Sequence, residues 1–289
     1  MSAAAGGDDL ESDDEYLSQS WHANEQVEVT ADDSAGRVNK IEGERVSKKR
    51  GSSEIGELDD EAVSSKQKKE KSPRTLLLEA GRGIAEAPPD VQAAFLWTAF
   101  AHALQLKGEE IDADKFTAEH FVRPKEEKKS TKYEPSMATY IKSGVLPSMK
   151  RLKKWRVEKS PMVLIVCVSA LRAVEVLKEI SSLNMRAAKL FAKHMDVSDQ
   201  VEMLKNNSYG IAVGTPGRLL TLLQKQNEND KEGALLLEHT ELIIIDCHED
   251  KKKFTVCTMN DTAPDLMKFI QDAVVPQMKQ RKTIKFGMF

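Results

Sequence analysis

From Met162 onward, short apolar runs alternate with amphipathic segments, and this alternation constrains the fold more than any other feature. The runs at 163–168 and 242–245 are continuously apolar, which predicts strands buried on both faces. Apolar residues recur at helical spacing over 170–180 and 216–224, which predicts helices there. Alternating strands and helices of this length predict an α/β fold, with one parallel sheet covered by helices on both faces.

Weaker patterns complete the series. Short strands are predicted at 189–191 and 210–213, and a helix is predicted from an N-cap at Ser198 through Leu204. Upstream, apolar residues at helical spacing over 91–104 predict an amphipathic helix with Asp90 as a candidate N-cap.

Three loops are expected to meet at one edge of the predicted sheet. Ser169-Ala170, the turn from Gly214 to Arg218, and the stretch from Asp246 to Glu249 each follow a predicted strand. Ligands of parallel α/β sheets bind at the carboxyl ends of the strands. These loops therefore form one candidate surface.

The turn Gly214-Thr-Pro-Gly-Arg218 has the chemistry of an anion site. The Thr215 hydroxyl can cap the following helix, and proline fits its first position. Free backbone N–H groups attract phosphate, Gly217 allows close approach, and Arg218 adds a charged donor. A well-capped helix start alone would explain the threonine and proline, but not the glycines and the arginine.

Charge divides the chain into two parts. Residues 1–70 hold 18 acidic and 9 basic residues with few aromatic ones, whereas the remainder holds 34 basic and 28 acidic residues. The first part cannot bury enough apolar surface to fold. We therefore predict a disordered tail over 1–72, a helical extension over 73–120 and an α/β domain over 121–289.

The densest basic cluster precedes the first strand. Its cations are Lys150, Arg151, Lys153, Lys154 and Arg156. Cations with a tryptophan among them suit phosphate contacts together with stacking on a base. A solvated basic helix with its leucine and tryptophan buried explains the same pattern equally well.

The cysteines Cys167, Cys247 and Cys257 lack metal-ligand spacing, which indicates free thiols. We predict neither a metal site nor a bound cofactor. No apolar stretch approaches the roughly 20 residues that a membrane-spanning helix needs.

The motifs resemble those of DEAD-box RNA helicases. The string Val213-Gly-Thr-Pro-Gly-Arg-Leu-Leu220 is similar to motif Ib, whose turn touches the RNA backbone in those enzymes. Residues 164–180 resemble the strand and helix of motif Ia. There Ser169-Ala-Leu-Arg172 stands where Pro-Thr-Arg-Glu is expected, and Arg172 is a candidate substitute for the RNA-contacting arginine.

Three strings, beginning at Ser169, Ala188 and Val213, together resemble a narrower group. This is the CMS-type small-subunit ribosome biogenesis family, relatives of DEAD-box proteins that have lost ATPase activity. The resemblance implies a single RecA-like domain associated with nucleolar pre-ribosomes.

The resemblance also implies that the chain is not an enzyme. No glycine in the chain is followed by lysine, so a P-loop is missing. The acidic motif of the helicases is reduced to Asp246-Cys-His-Glu249, with Cys247 where a glutamate would orient water. We also expect the chain to lack the second RecA-like domain that closes a helicase cleft.

The sequence therefore predicts a non-catalytic assembly factor of the small-subunit pathway that binds RNA through a degenerate helicase domain. The candidate RNA-binding residues are Thr215, Gly217 and Arg218, together with Lys150, Arg151, Lys153, Lys154 and Arg156. The expected partners are pre-ribosomal or small nucleolar RNA and small-subunit assembly proteins, with the factor monomeric inside a large ribonucleoprotein of the nucleus and nucleolus, away from membranes. The alternative is a protein-interaction scaffold without direct RNA contact.

Overall fold

The computed structural model describes residues 71–107, 116–125, 136–193, 195–227, 230–281 and 284–289. The predicted acidic tail lies outside these residues, apart from its last two positions. The helical segments before the sheet are α1 (Pro73–Ala80), α2 (Pro89–Ala103), α3 (Met137–Tyr140), a π-helical turn (Ile141–Val145) and α4 (Met149–Lys153).

Five strands form a single parallel sheet. They are β1 (Val163–Val166), β2 (Ala187–Leu190), β3 (Ile211–Gly214), β6 (Leu242–Ile245) and β7 (Lys285–Met288), in the order β2-β3-β1-β6-β7. A separate antiparallel pair consists of β4 (Gln226–Asn227) and β5 (Asp230–Gly233). The helices between and after the strands are α5 (Ala170–Ile180), α6 (Val197–Asn206), α7 (Pro216–Gln224), α8 (Ala263–Phe269) and α9 (Val275–Arg281).

The sheet is buried on both faces. Because successive side chains of a strand point to opposite sides, Leu164 and Val166 of β1 enter one apolar cluster, while Val163 and Ile165 enter another. Helices α2, α6, α7 and α8 pack in the first cluster, and α3, α4 and α5 pack in the second. The predicted fold class, an α/β fold with one parallel sheet and helices on both faces, is confirmed.

The helix predicted around 91–104 belongs to the same core as the strands. In α2, Phe95, Leu96 and Phe100 are buried in the first cluster. The N-cap of α2 is Pro88, so the prediction that Asp90 caps it was wrong. Two prolines in succession fix the extended entry at Pro88 and the first helical residue, and Asp90 lies inside the first turn.

The segment after α2 is joined to the last strand of the sheet. Phe121 forms an isolated parallel bridge with Phe286 of β7, and the N–H of Val122 donates to the Phe286 carbonyl at 2.8 Å. The ring of Phe286 lies 5.5 Å from that of Phe116 and 5.4 Å from that of Phe121, between centroids. This aromatic layer ties residues 116–122 to the sheet.

The helix α6 begins earlier than predicted, because its N-cap is Asp196 rather than Ser198. Among the described residues, no helix is both long enough and apolar enough to cross a bilayer.

Candidate nucleic-acid interface

The three predicted loops share the carboxyl edge of the sheet. In the strand register, Val166 at the end of β1 pairs with Gly214 on one side and with Ile245 on the other. The loops that begin at Cys167, Thr215 and Asp246 therefore leave the sheet side by side. The prediction of a shared edge is confirmed.

The turn after β3 begins α7 as expected, but without a side-chain cap. Thr215 is the N-cap residue in an extended conformation, yet its hydroxyl makes no capping hydrogen bond, contrary to the expectation. Gly214 is required by packing, because a Cβ there would lie 2.7 Å from Leu219 Cδ2 and 2.8 Å from the Leu190 carbonyl oxygen. This glycine is thus explained by the core, without a ligand.

A carboxylate of the protein itself lies beside Gly217, where the sequence predicted close approach of a phosphate. The Asp265 side chain of α8 comes so close to Gly217 that a Cβ on Gly217 would lie 2.8 Å from Asp265 Oδ2. A carboxylate at the first turn of α7 complements the positive end of the helix dipole. A phosphate approaching Gly217 would meet this negative charge.

Arg218 is directed into the fold. Its Nη1 donates to Gln200 Oε1 at 2.7 Å and to the Met195 carbonyl at 3.0 Å. Gln200 is fully buried, and its Nε2 donates to the carbonyls of Lys189 and Phe191. Arg218 therefore links α7 to α6 and to the end of β2, a structural role that the motif did not reveal.

We expect Arg218→Ala to lower the free energy of unfolding by about 1–3 kcal/mol, because it leaves the buried acceptor of Gln200 without its donor. RNA affinity should stay unchanged. Chemical denaturation and an RNA titration of the same preparation check both points. Arg218→Lys, which keeps the charge, is the control. Weaker RNA binding at unchanged stability would instead place Arg218 on the RNA surface.

Asp246, the first residue of the reduced acidic motif at this edge, is covered by Arg172. The guanidinium donates from Nε to Asp246 Oδ2 at 2.8 Å and from Nη2 to Oδ1 at 3.2 Å. The same arginine donates through Nη1 to Glu179 at 3.1 Å and to Glu175 at 3.2 Å. Asp246 is 1% exposed at its side chain and Arg172 is 12% exposed. The expectation that Arg172 replaces an RNA-contacting residue is not met, since its donors serve this network.

Burial raises the pKa of Asp246, and the hydrogen bonds from Arg172 act against that rise. Burial in turn acts to lower the pKa of Arg172, but its bonds to Asp246 outweigh this and raise it. The paired carboxylate has both oxygens engaged, which leaves it poorly placed to hold Mg²⁺. Within the described residues, no group of three or more His, Cys, Asp and Glu side chains could hold a metal ion.

The three cysteines are free thiols and are buried. Cys247 follows Asp246, and burial raises its pKa well above the usual range. Burial also raises the pKa of Cys257 to about 12. At neutral pH these thiols stay protonated and unreactive.

The predicted basic cluster forms an exposed surface, which we call the basic face. Its five side chains are Lys150, Arg151, Lys153, Lys154 and Arg156, all exposed. The residues between them, Leu152 and Trp155, are buried at 0% and 8% exposure. The indole N–H of Trp155 donates to the Ser160 carbonyl at 2.9 Å. Stacking of this tryptophan on a base, one of the two interpretations of the sequence, is thus excluded.

Three lysines of the basic face are available to a ligand. Arg151 forms an ion pair with Glu241, and Arg156 donates to the carbonyl of Trp155. Within the described part of the chain, the side chains of Lys150, Lys153 and Lys154 make no hydrogen bond or ion pair. Their spacing of i, i+3 and i+4 places them on one side of the short helix α4 and the residue after it.

The two predicted groups of RNA-binding residues lie at opposite edges of the sheet. The basic face is at the amino edge, since a Cβ on Gly210, just before β3, would lie 2.8 Å from the Leu152 carbonyl oxygen. The Thr-Pro-Gly-Arg turn follows Gly214 at the other end of β3. Four residues of strand separate them, about 13 Å at roughly 3.3 Å per residue. The structure does not bring them together into one site.

The fold and the site define a parallel α/β domain in which internal side chains occupy the carboxyl edge and cations cover the amino edge. Residues 103–288 match the model of the CMS1 family, described as the U3-containing 90S pre-ribosomal complex subunit. Because this match covers more than half of the chain, the chain belongs to the CMS1 family. The resemblance inferred from the sequence is confirmed.

The chain is 31% identical over 158 residues to Protein CMSS1 of Danio rerio, which covers 53% of this chain and 51% of that protein. It is 29% identical over 158 residues to Protein CMSS1 of Homo sapiens, covering 53% of each. It is 36% identical over 128 residues to Protein CMS1 of Chaetomium thermophilum, covering 43% of this chain and 47% of that protein. The chain thus spans about half the length of the curated relatives it matches.

Among solved structures, the chain is similar to a DEAD box protein from the hyperthermophile Methanococcus jannaschii. The two share 25% sequence identity, with a TM-score of 0.32. The match covers 48% of this chain and 33% of that protein.

Proposed function

We propose that this protein is a non-catalytic assembly factor of the small-subunit ribosome pathway, which binds RNA through the basic face. The observation that carries the proposal is the set of three exposed lysines, Lys150, Lys153 and Lys154, without partners among the described residues. Exposed cations that the fold does not use suit phosphate contacts, which dominate affinity for nucleic acids.

A non-catalytic role is supported at the opposite edge. Arg172 neutralises Asp246, the acidic residue that would stand near a metal, and Cys247 beside it is buried. The sequence also lacks the glycine and lysine of a P-loop. Within the described residues, these features support a role that does not involve ATP cleavage.

The family description supplies the setting for this proposal. It refers to a U3-containing 90S pre-ribosomal complex. For this chain we propose pre-ribosomal RNA or small nucleolar RNA as the ligand, small-subunit assembly proteins as neighbours, and a nucleolar location. Within such a particle the protein would act as a monomer.

The test is a charge reversal of the basic face. In the triple variant Lys150→Glu, Lys153→Glu and Lys154→Glu, we expect affinity for pre-ribosomal RNA to fall at least ~10-fold. The slope of log affinity against log salt should become shallower by about 2–3 units, one for each lost phosphate contact. Titrations of labelled RNA at several salt concentrations measure both quantities.

The matched control reverses Lys251, Lys252 and Lys253, three exposed lysines in the loop after β6. This variant has the same change in net charge at the carboxyl side of the sheet, and its RNA binding should remain within about twofold of the original. An equal loss in both variants would mean that net charge, rather than the basic face, governs binding. No RNA binding by the unmodified protein would overturn the proposal.

A protein-interaction scaffold is the second candidate. Two exposed apolar side chains favour it, Val91 at 45% on α2 and Leu171 at 66% beside the carboxyl edge. This function predicts partner capture that is insensitive to salt and weakened by Leu171→Ser, with RNA binding absent from the purified protein.

A further inference from the structure

The amino edge of the sheet carries more cations than the basic face alone. Arg186 immediately precedes β2, Lys205 lies in the last turn of α6, and Lys225 follows α7, all of them exposed. The segment that follows the basic face contacts α6, because the Lys159 N–H donates to the Leu204 carbonyl at 3.1 Å. The cationic surface therefore extends beyond the residues that the sequence singled out.

These cations lie on both sides of the sheet. Leu152 of α4 is buried in the second apolar cluster, whereas Leu204 of α6 and Leu222 of α7 are buried in the first. Between α6 and α7, a groove of about 390 Å³ is lined by Ser198, Val201, Glu202, Lys205, Asn206 and Lys225. Lys205 and Lys225 of this groove therefore lie on the opposite side of the sheet from the basic face.

The aromatic residues of this edge are unavailable for stacking. Trp155 is 8% exposed, with its indole N–H donated to Ser160. Tyr209 is 7% exposed, and the Arg186 guanidinium covers its ring at 6.0 Å from the centroid. The groove between α6 and α7 has no aromatic residue in its lining.

This composition distinguishes between two forms of RNA. Proteins that hold single strands stack the bases on exposed aromatic rings, whereas duplex RNA is contacted through its phosphates and 2′-hydroxyls. Cations on both sides of the edge can meet the two strands of one helix.

We propose, on the basis of the function proposed above, that the amino edge binds the backbone of double-stranded RNA. The basic face contacts one strand, and Lys205 and Lys225 contact the other. Recognition depends on the shape and charge of the helix rather than on its base sequence.

The experiment compares three labelled ligands on the full chain by fluorescence anisotropy: a 20-nucleotide unstructured RNA, a 20-base-pair RNA duplex and a DNA duplex of equal length. We expect the RNA duplex to bind at least ~10-fold more tightly than the single strand. The double variant Lys205→Glu and Lys225→Glu should weaken duplex binding by at least ~10-fold, while the Lys251, Lys252 and Lys253 reversal leaves it unchanged. Circular dichroism melts of each variant confirm that it is folded.

The binding data distinguish failure of the duplex assignment from failure of the RNA-binding function proposed above. Equal or tighter binding of the single strand, lost on reversal of the basic face, would overturn the duplex assignment and leave the RNA-binding function standing. Equal binding of the RNA and DNA duplexes would overturn the specificity for RNA. No binding of any ligand would overturn both proposals.

Discussion

Replacement of Arg172 by methionine is expected to lower the free energy of unfolding by about 3–5 kcal/mol, the range observed when one partner of a buried ion pair is removed. Asp246 would keep its burial and lose both hydrogen bonds from the guanidinium. Glu179 would lose its bond from Arg172 as well. Methionine retains much of the packing volume, so the loss reports the charge. Urea denaturation at pH 7 gives the measurement.

The loss should depend on pH in a defined direction. Burial raises the pKa of Asp246 in the native protein, and removal of Arg172 would raise it further. In the unfolded chain the pKa of an aspartic acid is about 3.9. A carboxyl group whose pKa is higher in the folded protein contributes stability at pH values below the unfolded pKa, and this contribution is lost as the pH rises through the folded pKa. The deficit of the Arg172→Met variant should therefore be largest near pH 7 and shrink toward pH 5.

The double variant Arg172→Met and Asp246→Asn is the control for this pair. Because the double variant removes both charges, it should recover part of the stability lost in the Arg172→Met variant. A double-mutant cycle of the original protein, the two single variants and the double variant measures this recovery. A single variant as stable as the original would show that Arg172 does not hold Asp246 in solution. Recovery of ATP or Mg²⁺ binding in that variant would reveal a latent site.

The second large effect is expected at Phe286. Phe286→Ala should lower the free energy of unfolding by about 3–5 kcal/mol, because the side chain is fully buried and its loss leaves a cavity. Its ring contacts those of Phe116 and Phe121, so the variant should also loosen the segment that precedes the sheet. Denaturation gives the stability, and hydrogen exchange at Phe121 and Val122 gives the local effect.

Phe286→Leu is the matched control, since it keeps most of the apolar volume and should cost much less than the alanine variant. If Phe286→Ala destabilised the protein without faster exchange at Val122, residues 116–122 would be held by other contacts.

The central strands and two helices were predictable, because their signals are local. The helices Ala170–Ile180 and Pro216–Gln224 and the strand Leu242–Ile245 agree with the predicted bounds, since continuous apolar runs and helical spacing mark buried elements directly. Strand β7 was not predicted, although Ile284, Phe286 and Met288 alternate with less apolar residues. An alternation this short does not by itself distinguish a strand from a loop.

The candidate site was predictable only in part. Exposure of the five cations of the basic face follows from charge, and the shared carboxyl edge follows from topology. The contacts of Arg218 with Gln200 and of Arg172 with Asp246 join residues 18 and 74 positions apart. Such pairings depend on how helices are placed against the sheet, which no local pattern encodes. The same limit hid Asp265 beside Gly217.

The position of β7 has a consequence for the order of events during synthesis. Phe286 supplies the central ring between Phe116 and Phe121, 170 and 165 residues after them in the chain. Strand β7 pairs with β6 and accepts a hydrogen bond from the Val122 N–H. Until residues 285–288 have left the ribosome, those two rings and the outer side of β6 have no partner in the sheet. Contacts between such distant residues form late and slowly. While residues 123–284 are synthesised, the nascent chain thus leaves these aromatic rings without Phe286, a period in which shielding by a chaperone would favour correct closure.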